Sequence, residues 1–272
     1  MSLQPIKLGK APKLSDADAK RPDDLPGKAE RVEQLLALKE QMTELQRRLF
    51  AQGRQALLVV LQARDAGGKD GTIRRVFGSI NPQGCRVTGY GKPTERELQQ
   101  DYLWRVHTAV PRRGMIGIFN RSHYEDVLVV RVKELVPESV WRPRYEQIND
   151  FERMLSENDV TILKFFLHVS KDEQRRRLLR RLEDPKRNWK FNPEDLKARN
   201  EWDAYSEAYR EALSRCSTDW APWYVVPADS KSSRDLLVAQ VVVDALERMD
   251  PEFPTADPDV LRYVSALDTS ER

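Results

Sequence analysis

Apolar positions along the chain follow two different periods. Over residues 30–50, Val32, Leu35, Leu36, Met42, Leu45 and Leu49 recur at helical spacing, which predicts a long amphipathic helix. Continuous apolar runs follow at 56–62 (ALLVVLQ), 115–119 (MIGIF), 160–169 (VTILKFFLHV) and 223–226 (WYVV). These read as buried strands, with a weaker strand over 86–89. Helical patterns fill the gaps at 72–80, 94–110, 138–158, from near 170, and at 231–249. Thr94 and Glu97 stand at capping-box spacing. Strands separated by helices predict an α/β fold: a parallel sheet with helices on both faces.

The same pattern sets the boundaries. Residues 1–28 are rich in Pro, Lys and Asp without periodicity, and are expected to be an arm or partly disordered. Residues 29–250 form the domain, and 251–272 a C-terminal extension. More than fifty residues separate the runs at 160–169 and 223–226, more than one crossover helix needs. They predict a helical lid over about 175–215.

Composition narrows the class. A chain of 272 residues can bury one large core. Charged residues make up 33% against 40% hydrophobic, and the net charge of +3 says little by itself. Cys85 and Cys216 give neither a disulfide framework nor zinc-ligand spacing. No apolar run approaches 18 residues and no signal-type segment opens the chain, so a soluble, cytoplasmic protein without membrane association is expected.

Candidate chemistry begins directly after the 56–62 strand, with ARDAGGKDGT at 63–72. Ligands of parallel sheets bind at the carboxyl ends of strands. There the backbone N–H groups of 66–70 and the next helix N-terminus can cradle phosphate. The usual phosphate-loop pattern G-x-x-x-x-G-K-[ST] is broken twice, by Ala63 and Asp70. Gly67 and Gly68 allow close backbone approach, and Lys69 supplies charge. Asp65 would repel phosphate unless it holds a cation, which points to Mg²⁺, with Mn²⁺ as a substitute. The competing reading is an ordinary strand-to-helix turn with Asp65 as its cap.

The next buried strand ends in NRSHYED at 120–126. Asn120 stands where a metal-anchoring Asp is expected, Arg121 can grip phosphate through its planar fork, and Glu125 and Asp126 add carboxylates. His123 is read as a packing residue, and His107 and His168 as structural. A third feature is RRRLLRRLEDPKRNWK at 175–190, eight basic residues in sixteen against two acids. Helix stability does not need such an excess. Arg177, Arg180 and Arg181 share a helix face, and Lys186, Arg187 and Lys190 continue past Pro185. This ladder suits a polyanion, either inorganic polyphosphate or nucleic acid. Lys231 and Arg234, after the 223–226 strand, could face the same channel.

Together these motifs resemble the type-2 polyphosphate kinases. RDAGGKDGT at 64–72 is similar to that family's loop G-x-D-A-x-G-K-x-G-T except for its first glycine. NP at 81–82, KPTERE at 92–97, NRSHYED at 120–126, PKRNWK at 185–190 and APW at 221–223 also match. The resemblance spans roughly 30–250. It implies a P-loop-kinase-like core with a helical lid that moves phosphate between polyphosphate and adenine or guanine nucleotides with Mg²⁺. It also implies a homo-oligomer, dimer or tetramer, and no nucleic-acid partner. Asn120 and Glu125–Asp126 depart from the commonest second motif, D-R-S-x-Y-N-R. They look like the subclass that accepts both AMP and ADP.

The resemblance assigns roles. Asp65, Lys69 and Arg121 are catalytic. Ala66, Gly67, Gly68, Asp70, Gly71, Thr72, Arg177, Arg180, Arg181, Lys186, Lys190, Lys231 and Arg234 bind polyphosphate. Arg74, Arg75, Asn81, Asn120, Arg121, Tyr124 and Glu125 bind nucleotide, and Asp65 and Glu125 hold the metal. Two alternatives stand beside it: an ATP-dependent nucleoside monophosphate kinase, and a nucleic-acid-binding P-loop protein.

Overall fold

The computed structural model describes residues 3–261 together with 263, 264 and 267. Part of the extension expected over 251–272 therefore lies outside the described residues.

In chain order the elements are α1 (Lys28–Gln52), β1 (Ala56–Ala63), α2 (Lys69–Val76), β2 (Cys85–Gly89), α3 (Glu95–Leu98), α4 (Trp104–His107), β3 (Ile116–Asn120), α5 (Val129–Val132), α6 (Glu138–Trp141) and α7 (Arg144–Glu157). They continue as β4 (Val160–His168), α8 (Lys171–Glu183), α9 (Pro193–Asn200), α10 (Trp202–Arg215), β5 (Trp223–Pro227) and α11 (Lys231–Met249).

The five strands pair in parallel in the order β2-β3-β1-β4-β5. β1 is central, and all eight of its side chains are buried. That is why its sequence shows no polar alternation. One face packs against α1, α2 and α11 through Met42, Leu49, Val76, Leu237 and Val242. The other packs against α4, α7 and α10 through Val106, Ile148, Phe151, Ala212 and Leu213. Since β1 lies between β3 and β4, the ends of those three strands meet at one edge and build one site.

Two predicted helices are broken. The one over 94–110 resolves into α3 and α4. The Thr94–Glu97 capping box forms as expected, but the Asp101 carboxylate accepts from Leu103 N at 2.9 Å and starts a new turn. The helix over 138–158 divides at Pro143, which has no N–H to extend α6. Of the two expectations for the N-terminal segment, an arm or partial disorder, its contacts favour the arm. It has neither strand nor helix, yet Ile6 N donates to Trp223 O at 2.8 Å, Gly9 N to Ser214 O at 2.8 Å, and Ala19 O accepts from Asp229 N at 3.1 Å. With Ala19 and Leu25 buried, it is a strap fixed along β5 and α10.

Candidate active site

β1 delivers the chain into a tight loop, and α2 begins at Lys69 itself, three residues earlier than its pattern suggested. A Cβ on Gly67 would stand 2.8 Å from Arg64 O, and one on Gly68 (φ +106°) would overlap the Arg234 guanidinium. Both glycines are therefore required. Ala63 has the extended backbone of β1, so alanine costs nothing there. Left-handed backbone falls instead on Ala66 (φ 60°) and Arg121 (φ 64°), a local strain of roughly 1–3 kcal/mol each that the surrounding structure must hold in place.

Lys69 is only 9% exposed, and its Nζ donates to Ala63 O at 3.0 Å. Burial, then the neighbouring Arg121, pulls its pKa down to about 8 against the opposing pull of Asp65, Glu125 and Asp70. From β3, Arg121 Nη2 donates to Asp65 Oδ1 at 2.9 Å, and its Nη1 stands 3.7 Å from Glu125 Oε2. Gln62, on β1, can donate from its amide to Glu125 Oε1 at 3.1 Å while accepting from Ser122. A cavity of about 40 Å³ lies against Asp65, Arg121 and Glu125.

No cluster of three or more His, Cys, Asp or Glu capable of holding a metal occurs among the described residues. The donor set still fits magnesium, which is commonly bound by one or two carboxylates with phosphate oxygens and water completing its shell. Asp65 and Glu125 would hold it, and it would supply neutralisation of phosphate charge.

Below this turn lies a buried polar network. Lys164, on β4, donates to Glu152, to Tyr124 Oη at 2.7 Å and to Cys216 O at 2.7 Å. Glu152 Oε1 also accepts from Tyr124 Oη at 3.0 Å and pairs with His123 Nε2 at 3.1 Å. Glu152 and Lys164 are both fully buried. Tyr124, expected among the nucleotide-binding residues, is 0% exposed and packs on Trp223. Its position corrects that expectation: it anchors the turn from beneath.

Other expected ligands are redirected too. Arg177 donates to the carbonyls of Ala66, Gly67, Ala228 and Asp229 and pairs with Glu173. It clamps the phosphate loop from behind and is not part of an exposed ladder. Arg234 is buried, paired with Asp235, and fills the space that Gly68 leaves. Asp235 also takes Arg75 and, at 3.3 Å, the Thr72 hydroxyl, so Thr72 faces α11. Asn120 Nδ2 donates to Asp70 Oδ1 at 2.9 Å, and the Asn81 side-chain Oδ1 accepts from Gln83 N in its own turn. Gly71 lies in α2 beside the Arg75 side chain.

The insertion between β4 and β5 comprises α8, α9 and α10. Lys190 reaches Asp70 at 3.5 Å, Arg181 pairs with Asp195 at 3.1 Å, and Lys133 pairs with Glu201 at 2.6 Å. Arg74, Arg180, Lys186 and Lys231 are exposed. Burial, then Arg180, Arg177, Arg75 and Arg187, lowers the Lys231 pKa, which marks a concentration of positive charge beside the loop.

Sequence reasoning missed Arg64, Gln174, Tyr205 and Tyr209. Arg64 stacks on Trp202 at 3.8 Å, and Gln174 Nε2 donates to Asp65 O at 3.0 Å. Only Arg64 left a signal, as a charge at the end of an otherwise apolar strand.

A parallel sheet with a glycine loop, a buried lysine, a strand-end arginine and a basic insertion defines a phosphate-transferring enzyme. Comparison with known proteins gives the family. The family model for polyphosphate kinase 2 matches residues 26–254, and the chain belongs to that family. An AMP/ADP-polyphosphate phosphotransferase of Meiothermus ruber is 55% identical over 86% of this chain and 89% of its own. An ADP-polyphosphate phosphotransferase of Rhodopseudomonas palustris is 46% identical over 80% of each. Among solved structures, polyphosphate kinase 2 from Arthrobacter aurescens TC1 superposes with a TM-score of 0.88 at 38% identity, covering 97% of this chain and 99% of that one. No helix among the described residues is long and apolar enough to cross a membrane.

Proposed function

We propose that this enzyme transfers phosphate from inorganic polyphosphate to AMP and ADP. The observation that carries the reading is the convergence of Lys69, Asp65 and Arg121 at adjoining strand ends, beneath a basic insertion too rich in positive charge for a single nucleotide. The relatives named for AMP/ADP and ADP transfer support the choice of acceptor.

The terminal phosphates of the donor lie on the 64–72 loop, with Lys69 as counter-charge. Arg180, Lys186, Lys190 and Lys231 follow the rest of the chain, and the insertion acts as a lid. Arg121 holds the acceptor phosphate in line. An oxygen of that phosphate forms the new P–O bond. The bridging P–O bond of the polyphosphate breaks, and the shortened chain leaves with the electron pair. A phosphate acceptor is largely ionised near neutral pH, so the chemistry requires positioning and charge neutralisation more than a base. Asp65 and Glu125 would hold magnesium, which would supply part of that neutralisation.

Three apolar side chains exposed on one face of α1, Val32, Leu36 and Phe50, support self-association as a dimer or tetramer. The decisive experiment incubates the protein with Mg²⁺, long-chain polyphosphate and AMP, and separates the nucleotides. ADP followed by ATP is the expected result. Turnover with ATP as donor and none with polyphosphate would sink the proposal.

A further inference from the structure

Tyr205 and Tyr209 stand one turn apart on α10 and line the cavity bounded by Asp65, Arg121 and Glu125. Tyr209 is 6% exposed. Its ring packs on Phe166, centroids 4.3 Å apart, and lies 5.8 Å from the Arg64 guanidinium. These contacts use the rings. Neither tyrosine hydroxyl has a hydrogen-bond partner among the described residues.

Neither hydroxyl is among the buried polar atoms left without a partner, so both are open to water in the ligand-free protein and available to a bound oxygen. Both tyrosines border this space of about 40 Å³, enough for at least one water-sized group. Its other polar walls are Asp65 and Glu125, which only accept hydrogen bonds, and three donors turned to protein partners: Arg121 to both carboxylates, Arg64 to Trp202 O and Ser206, and Gln174 to Asp65 O. Burial, then Glu125, holds the Tyr205 pKa up at about 12 and raises that of Tyr209 further, so both hydroxyls keep their protons and can donate.

We propose that the Tyr205 and Tyr209 hydroxyls donate hydrogen bonds to an oxygen held in this cavity between Asp65 and Glu125. That oxygen belongs either to a phosphoryl group or to water in the hydration shell of a bound cation. The proposal rests on the phosphoryl-transfer reading. It also gives the insertion a direct part in the chemistry, because both tyrosines are carried on its last helix.

Tyr205→Phe, Tyr209→Phe and the double variant test it. With no protein partner lost, the melting temperature of the ligand-free protein is expected to stay level. Polyphosphate-dependent kcat/KM is expected to fall about 10- to 100-fold in Tyr209→Phe and further in the double variant, the range for one or two charge-assisted hydrogen bonds. Thermal shift or calorimetry with AMP or tripolyphosphate in EDTA, and with Mg²⁺ alone, separates the two sources. Weakened phosphate binding without metal identifies a phosphoryl oxygen. Weakened Mg²⁺ binding with phosphate binding intact identifies a hydration water. Variants that bind and turn over like wild type overturn the proposal, as does a marked loss of thermal stability, which would show that the hydroxyls serve the fold. Wild-type protein inactive with polyphosphate would instead remove the functional reading beneath it.

Discussion

Arg121 Nη2 donates to Asp65 Oδ1 at 2.9 Å, and the same guanidinium stands 3.7 Å from Glu125. One cation thus lies between the two carboxylates assigned to the metal. Asp65→Asn keeps the shape and removes the charge. It is expected to lower kcat by about 10²–10³-fold and raise the Mg²⁺ needed for half-maximal rate, the scale typical of losing one electrostatic group. Chelation of wild type with EDTA should abolish turnover. A Mg²⁺ titration of both proteins checks this, and an unchanged curve for Asp65→Asn would remove Asp65 from the metal site.

Lys69 gives a pH prediction with two signs. Its pKa of about 8 lies below the ordinary 10.5. Between those values the unfolded chain still holds a proton that the folded chain has released, so stability gains from this group as pH rises through that window. Below pH 8 the buried charge is a burden, and Lys69→Met should raise the apo melting temperature at pH 7, by ~1–3 kcal/mol in stability. The same variant should lose turnover by about 10³-fold or more. In wild type, kcat/KM for polyphosphate should decline above about pH 8 as Lys69 becomes neutral.

Gly68 is held at φ +106° against the Arg234 guanidinium. Gly68→Ala is expected to destabilise the protein by ~2–4 kcal/mol, combining left-handed strain with overlap, and to lose polyphosphate-dependent activity. Gly71→Ala, which meets only the movable end of Arg75, should cost under about 1.5 kcal/mol. Denaturant midpoints of the pair separate the two positions.

Lys190 reaches Asp70 from the basic insertion at 3.5 Å, with both side chains partly exposed. Such a pair contributes about 0–1 kcal/mol to stability. Lys190→Ala should therefore leave the melting temperature nearly unchanged. Its effect belongs on the KM for polyphosphate, expected to rise about 3- to 10-fold at low salt and to converge on wild type as salt screens the channel.

The fold was legible because β1, β3 and β4 are buried on both faces: runs such as ALLVVLQ are hard to read otherwise. Lys69, Asp65 and Arg121 were legible because strand ends in a parallel sheet place such residues together. What sequence could not give was the direction of long side chains. Arg177 and Arg180 look alike on a helix face, yet one clamps four loop carbonyls and the other is exposed. Tyr124 sits inside a functional motif and points to the core. Tyr205 and Tyr209 sit in an unremarked amphipathic helix and reach the cavity. The partners that decide these cases, Asp235 for Arg75 and Glu152 for Tyr124, lie 160 and 28 positions away.

The buried Lys164–Glu152 pair has a consequence for how the enzyme comes into being. The turn that aims Arg121 and Glu125 hangs on contacts spanning β4, α7 and the end of α10. Closing those loops costs entropy before any contact is gained, and neither charge tolerates burial alone. The turn that carries Arg121 and Glu125 is therefore completed only once distant parts of the chain have met. A nascent or damaged molecule with an unfinished core would lack the proposed phosphate site, and on that reading could not spend polyphosphate.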